Sequence, residues 1–524
     1  MKRFGLIFML FAVAFAALTG CGKPTGPGGI DGYVYVLDEN ARTMGVSRTL
    51  LSDLEAGTFT AASGATVALN TGQSAISGEN GFFLLSGIDP GDYILTITYG
   101  SYTPLNLNVH ISPGTITHVN INRIPAPQKT WNFLVYLDGD NNLESYAISD
   151  INEMEQIGST ADVNILVLVD RIPGYDSSNG DWSGTRLYYV KQDADTSTIN
   201  SYLLEDLGER DMSNPATLKD FIIYCQKYFP AQHTVLTLWN HGGGVYPRSL
   251  SAPERKVKEE KIQRAPEKQS SGARGICWDD TTGTGGFDCL TTDEVASALS
   301  NARAITGKKI DIINMDACLM QTLEVAYEWR NEADYLVGSE ETVPCDGNDY
   351  DLLLGHLTAT PSQTPETFAI TLVDDYYSYY SSTTYTTYSA IKLGTVFDTF
   401  MNNFKALATR LKDTSDHTGV INAWDYTTYF TNYENNDIYD FCQELITYSS
   451  DGNVTSAASN LISSFATVVI HCHNTSPYTT IAHGMYILLP GDSVIWSDYS
   501  TEYVKLKLAM DTDWNEFISA FVTW

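Results

Sequence analysis

A histidine followed by three glycines, His241-Gly242-Gly243-Gly244, and the cysteine of Asn314-Met315-Asp316-Ala317-Cys318 have the plainest capacity for covalent chemistry in this chain. A thiol is a good nucleophile only as its thiolate, and a neighbouring histidine can take the proton. Glycines beside that histidine let backbone N–H groups come close to a substrate and hold a developing oxyanion. Each residue also has a blander use. A cysteine after a buried strand packs as a small apolar group, and a histidine before glycines can simply sit in a turn. Nucleophilic acyl transfer needs the two side chains to meet, so the elements that carry them matter.

Residues 234–239 and 309–315 are short apolar runs that read as buried strands, and His241 and Cys318 follow directly on them. Further strands are predicted at 132–137, 164–169 and 335–338, alternating with helices at 145–157, 217–228, 292–304 and 322–329. This alternation predicts an α/β class with a mostly parallel sheet flanked by helices. Active sites of such sheets form beyond the carboxyl ends of the strands, and consecutive strands are commonly neighbours. His241 and Cys318 are therefore expected at the same edge of the sheet. Residues 30–124 have all-β patterning between Gly, Asn and Asp turns, as in a small sandwich, and Pro125 to Pro127 mark a boundary. The catalytic region is expected over 131–396. Residues 397–524 mix a helix (441–448) with strands (467–471, 484–489) and should pack on the sheet as a mixed C-terminal subdomain.

The 524 residues are 43% hydrophobic and carry a net charge of −32, a globular composition whose acidic surface argues against nucleic acid as a partner. Lys2 and Arg3, an apolar run over 4–18 and the ending Leu18-Thr19-Gly20-Cys21 read as a signal peptide over residues 1–20. That ending resembles a bacterial lipobox. The resemblance implies cleavage before Cys21, lipidation of Cys21, a tether over 21–29 and a membrane-anchored protein of the bacterial cell envelope that faces outside the cytoplasm. Seven further cysteines leave an odd count with no Cys-x-x-Cys pair, so at least one thiol is unpaired and no zinc site is suggested.

The segments Leu238-Trp239-Asn240-His241-Gly242-Gly243-Gly244 and Asn314-Met315-Asp316-Ala317-Cys318-Leu319-Met320 resemble the clostripain family of cysteine peptidases. Tyr136-Leu137-Asp138-Gly139-Asp140-Asn141-Asn142-Leu143-Glu144, Gly338-Ser339-Glu340-Glu341 and Gly484-Met485-Tyr486-Ile487-Leu488-Leu489-Pro490 extend the likeness from about Trp131 to near the C-terminus. It implies a caspase-like fold, a dyad of His241 and Cys318, an oxyanion site of the Gly242 and Cys318 N–H groups, and cleavage after Arg or Lys. Asp316 matches an acidic pocket position. Asp346 is the second S1 candidate, in a segment where Cys345 and Asn348 replace the family's usual glycine and tryptophan. Residues 65–93 resemble a carboxypeptidase regulatory-like domain.

Between the two motifs, residues 246–275 hold 8 of the chain's 31 basic residues and read as an exposed loop. The resemblance implies maturation by cleavage in this interval, with Arg255, Lys256 and Lys258 as candidate sites. No cofactor is required for this chemistry, though Asp138-Gly139-Asp140-Asn141-Asn142 makes calcium possible. Leu143 stands where an EF-hand needs glycine and Ser149 where it needs Glu, so a strand-end turn is the plainer reading. His471 and His473 share a strand face without further ligands in register, and no metal site is expected there. Two competing functions are a serine esterase, for which the Gly-x-Ser-x-Gly elbow is absent, and a non-catalytic surface binding lipoprotein, whose mark would be loss of His241 or Cys318.

Overall fold

The structure, a computed structural model, describes residues 26–37, 59–100, 102, 104–123, 125–244, 275–281 and 288–524. Cys21 and the expected signal peptide over residues 1–20, and Arg255, Lys256 and Lys258 in the basic loop, lie outside the described residues. The chain divides into two compact units, one within the first 124 residues and one containing Pro125–Trp524. Among the described residues no helix is long and apolar enough to cross a membrane.

The first unit contains two four-stranded sheets. In one, Gly28–Leu37 pairs antiparallel with Phe82–Ile88 and parallel with Ile116–Arg123. The other runs in the order Ser74–Ile76, Thr66–Leu69, Gly91–Thr98, Leu105–Ile111. Alternate residues such as Val67, Leu95, Ile97 and Ile111 are buried, as strands with one core face require.

The second unit is built on a nine-stranded sheet. Its strands are β1 (Lys129–Gly139), β2 (Val163–Arg171), β3 (Thr185–Tyr189), β4 (Tyr202–Gly208), β5 (Ala231–Trp239), β6 (Ile310–Asp316), β7 (Ala333–Gly338), β8 (Thr387–Lys392) and β9 (Val469–Asn474). They run in the order β4-β3-β2-β1-β5-β6-β7-β8-β9. Within that order β2, β1, β5, β6 and β7 are mutually parallel, β3 pairs antiparallel on the outer side of β2, and β8 pairs antiparallel on the outer side of β7. β1 and β2 are buried along nearly their whole length, which explains why they read as continuous apolar runs.

Helices cover both faces. Phe133, Val135 and Leu137 of β1 enter one core with α1 (Glu144–Ile157), α5 (Tyr350–Ala359) and α6 (Pro365–Tyr380). Alternation sends Tyr136 to the opposite face, where its ring meets Phe221 of α2 (Pro215–Tyr228) at 6.1 Å. α3 (Thr292–Thr306) packs on α2, and α4 (Leu323–Trp329) follows β6. The C-terminal third does more than pack on the sheet, because it supplies the edge strand β9. A helix, Gly452–Val468, runs directly into β9, so the strand starts at Val469 rather than at 467.

Candidate active site

β5 and β6 are adjacent and parallel, and their register pairs Trp239 with Asp316. His241 and Cys318 therefore each lie two residues beyond one matched position, at the same end of the sheet. Backbone packing carries the pairing past the strands. The backbone of Gly242 sits so close to the Cys318 loop that a Cβ there would lie 2.3 Å from Cys318 O and 3.0 Å from Cys318 N. Only glycine permits this approach. A bridge from Gly242 to Ile276 and a 3.0 Å bond from Gly243 N–H to Gly275 O hold the histidine turn from its other side.

His241 and Cys318 are both half-buried. His241 Nε2 is 2.8 Å from Asn142 Oδ1. The amide oxygen accepts, so the imidazole donates from Nε2 and its lone pair is on Nδ1. Val343 N–H points at Cys318 Sγ from 3.2 Å. Burial pushes the Cys318 thiol up to about 12, and Glu341, Cys345 and Asp316 add to the rise while the Val343 N–H opposes it. The next residue, Leu319, has φ +61°, a left-handed conformation rare for a branched side chain. It is held by Leu319 N–H donating to Glu341 O at 3.1 Å and by Tyr486 OH donating to Leu319 O at 2.6 Å. Such strain persists where surrounding contacts over-determine it, here around the thiol. Among the described residues neither the Gly242 nor the Cys318 amide N–H donates to a protein acceptor.

Asp316 is buried at the end of β6. Its Oδ2 accepts from Asn348 N–H at 3.0 Å and from Tyr350 OH at 2.9 Å. Burial raises its pKa, and these donors oppose the rise. Gly347, at φ +61°, lies against it, since a Cβ there would be 2.8 Å from both carboxylate oxygens. Asp346 is the exposed neighbour of that glycine, so it differs from Asp316 in being solvated rather than sealed. Two further acids that the sequence reading passed over stand on α1. Asp150 accepts from Trp239 Nε1 at 2.7 Å and is raised by burial, then by Asp316 and Glu153. Glu153 is raised to about 7, chiefly by burial, and accepts from Tyr350 N–H at 3.2 Å. A detectable signal existed: Asp150 falls on the helical stripe of Ala147, Ile151 and Met154, where an apolar residue belongs.

The turn that supplies Asn142 also carries acids. Asp140, Asp170, Glu209 and Asp279 each bring a carboxylate oxygen within 4.8 Å of the others. Asp138 Oδ2, Asp140 Oδ1 and Asp170 Oδ2 are buried without a hydrogen-bond partner among the described residues. Burial, followed by the neighbouring carboxylates, raises Asp140 to about 7 and Asp170 to about 9. An all-oxygen donor set with unpartnered buried oxygens fits a hard cation such as calcium. The strand-end turn drawn from the sequence is thus one wall of this cluster, whose other acids come from distant segments.

A model of the clostripain family matches residues 135–521. The chain belongs to the clostripain family of cysteine peptidases. Clostripain of Hathewaya histolytica is 33% identical over 249 residues, covering 43% of this chain and 42% of that protein, so the match spans under half of that relative's length. A secreted C11 cysteine protease from Bacteroides thetaiotaomicron, solved with an irreversible peptide inhibitor, aligns over 74% of this chain and 99% of its own at TM-score 0.52 and 19% identity. An inactive zymogen C11 protease from Parabacteroides distasonis aligns over 74% of this chain and 99% of its own at TM-score 0.53 and 21% identity. At these identities the two structures speak for the fold: a mixed α/β architecture with a large, mostly parallel sheet flanked by helices.

Proposed function

We propose that the chain is an endopeptidase that cleaves after Arg or Lys through a dyad of His241 and Cys318. The observation that carries this reading is the seating of Gly242 on the Cys318 backbone, which joins the two motifs at the carboxyl ends of β5 and β6. In the reaction, Cys318 Sγ attacks the scissile carbonyl as His241 takes its proton. The resulting oxyanion is held by the Gly242 and Cys318 N–H groups. His241 returns the proton to the leaving amine, which departs to give a thioester. Water, deprotonated by His241, then hydrolyses the thioester and frees the thiol. Asn142 acts as a positioning residue that fixes the imidazole tautomer.

Specificity follows from charge. Asp316 and Asp346, with Asp150 and Glu153 behind them, form an acidic surround whose buried members are raised by desolvation. A guanidinium or ammonium entering at P1 favours their ionised forms and relieves their mutual repulsion. The basic loop between the motifs, with Arg255, Lys256 and Lys258, is read as the enzyme's own maturation site. Cys21 is read as the lipid anchor that holds the protein outside the cytoplasm. Asp140, Asp170, Glu209 and Asp279 are the residues that would hold calcium; bound there, it would neutralise the buried carboxylates and stiffen the Asn142 turn.

The test is a panel of peptide reporters that differ only at P1, assayed with the parent protein and with Cys318→Ala. Cleavage of Arg and Lys reporters by the parent alone is expected. Turnover by Cys318→Ala would overturn the dyad, and preference for an Asp reporter would overturn the acidic pocket.

A further inference from the structure

β9 is an edge strand, and its residues alternate between two environments. Cys472 turns to one face, where its thiol exchanges hydrogen bonds with Asn474 and is raised by burial and then by Glu340. His471 and His473 turn to the other face, opposite Ala390 and Tyr388 of β8 and beneath α6. The sequence offered these two imidazoles no third ligand. The fold supplies one from about a hundred residues earlier: Asp374 of α6 lies with Oδ1 2.7 Å from His471 Nε2 and 3.2 Å from His473 Nδ1.

We propose that His471, His473 and Asp374 form a binding site for a borderline divalent transition-metal ion, with zinc as the representative. The donor chemistry selects the ion, because two imidazole nitrogens and one carboxylate suit zinc and its neighbours rather than calcium or magnesium. The three donor atoms lie within 4.8 Å of one another. Tetrahedral zinc with bonds of about 2.0–2.1 Å sets its ligands about 3.3 Å apart. The 3.2 Å separation already matches, and the 2.7 Å one needs a small opening. His473 is held for this by Tyr377, whose ring stacks on the imidazole at 3.7 Å and 8°. All three ligands are partly exposed, so an ion has a route in and a fourth position is open to water.

The site joins a helix to the free edge of the sheet. α6 also donates Tyr380 OH to Gly347 O at 2.8 Å, so the same helix supports the loop that flanks Asp316. Zinc at this site clamps α6 against β9 and leaves the chemistry of Cys318 untouched.

The experiment is a calorimetric zinc titration of the full chain carrying Cys318→Ala, which removes the dyad thiol, in excess calcium to occupy the acidic cluster. His473→Gln and Asp374→Asn are compared in the same background, with thermal melts alongside. The expected result is one zinc per chain, a melting temperature raised by zinc, and affinity reduced about tenfold or more in each variant, since each removes one of three protein ligands. Variants that melt like the parent without zinc show that the fold is intact. Undiminished affinity in both variants, or no stoichiometric zinc binding by the parent, would overturn the site. A titration that responds only to pH, with no zinc uptake, would reduce the cluster to histidine–carboxylate ion pairs and overturn it equally.

Discussion

Gly242→Ala puts the assembly of the site to its sharpest test. The added methyl would stand 2.3 Å from Cys318 O, 2.9 Å from Ala317 Cβ and 3.0 Å from Cys318 N, whereas ordinary contact begins at 3.4 Å. Two of these three atoms belong to backbone, so no side-chain rotation relieves the clash. The His241 turn and the Cys318 loop must part by about 1 Å, the difference between 2.3 and 3.4 Å. A displacement of about 1 Å between reacting groups costs on the order of a hundredfold in rate. Overpacking of this kind costs about 1–3 kcal/mol of stability. Catalytic efficiency on a Lys reporter should therefore fall about a hundredfold while the protein still folds, with a modestly lower melting temperature. A small alkylating reagent should still titrate the thiol, because Cys318 remains in place. Gly452→Ala is the matched control, since a Cβ there meets nothing within 4 Å. Parent-like efficiency and melting in Gly242→Ala would refute the claim that this close approach builds the site.

Three further outcomes follow from the same geometry. Asn142→Ala removes the 2.8 Å partner of His241 Nε2 and should lower kcat about tenfold with little change in KM, together with a shifted acid limb in the pH–rate profile; a KM effect alone would contradict a positioning role. Asp316→Asn should reduce kcat/KM for Arg and Lys reporters about a hundredfold, as loss of a buried charge partner does, and should not lower it for a neutral citrulline reporter. In the metal-free protein, Asp140 and Asp170 titrate near 7 and 9 when folded, against 3.8 when unfolded. The folded state then binds more protons between those values, so stability present at low pH is lost as pH rises from about 4 towards 9. Calcium should flatten that decline in thermal melts, and Asp170→Asn should weaken the response; a melting temperature insensitive to calcium and chelator would remove the cation site.

The parallel core was legible because β1, β2, β5 and β6 are buried on both faces and so appear as unbroken apolar runs that end at polar residues. His241 and Cys318 stood out because they directly follow two such runs. The antiparallel flanks were not legible. β3 and β4 run through mixed polar residues, and β8 carries Thr and Ser beside its apolar positions, so their pairing depends on neighbours remote in the chain. The acids around Asp316 were hidden for a related reason. Asp150 and Glu153 have helical spacing but gain their meaning only when α1 packs beside the end of β5 and offers Asp150 to the Trp239 indole. Asp374 is the same case, since no local pattern links a residue of α6 to a histidine pair about a hundred positions later.

The acidic surround opposes the chemistry proposed for it, and that opposition would couple specificity to rate. A thiol held at about 12 by burial and by Glu341, Cys345 and Asp316 is almost wholly protonated near neutrality. An uncharged peptide leaves the field of Asp316 in place. On the proposed specificity, a peptide with Arg or Lys at P1 would bring a positive charge to Asp316 and so offset one of the fields that keep the proton on sulfur. It also displaces water from the half-buried thiol, which strengthens the interaction with an imidazolium. Binding energy from the P1 side chain would then be expressed at the sulfur, two residues along the chain from the carboxylate proposed to bind it. With Asp316 as the proposed P1 partner and Cys318 as the proposed nucleophile, the spacing Asp316-Ala317-Cys318 sets both at one strand end, so a peptide that lacks the matching cation should be both poorly held and poorly attacked.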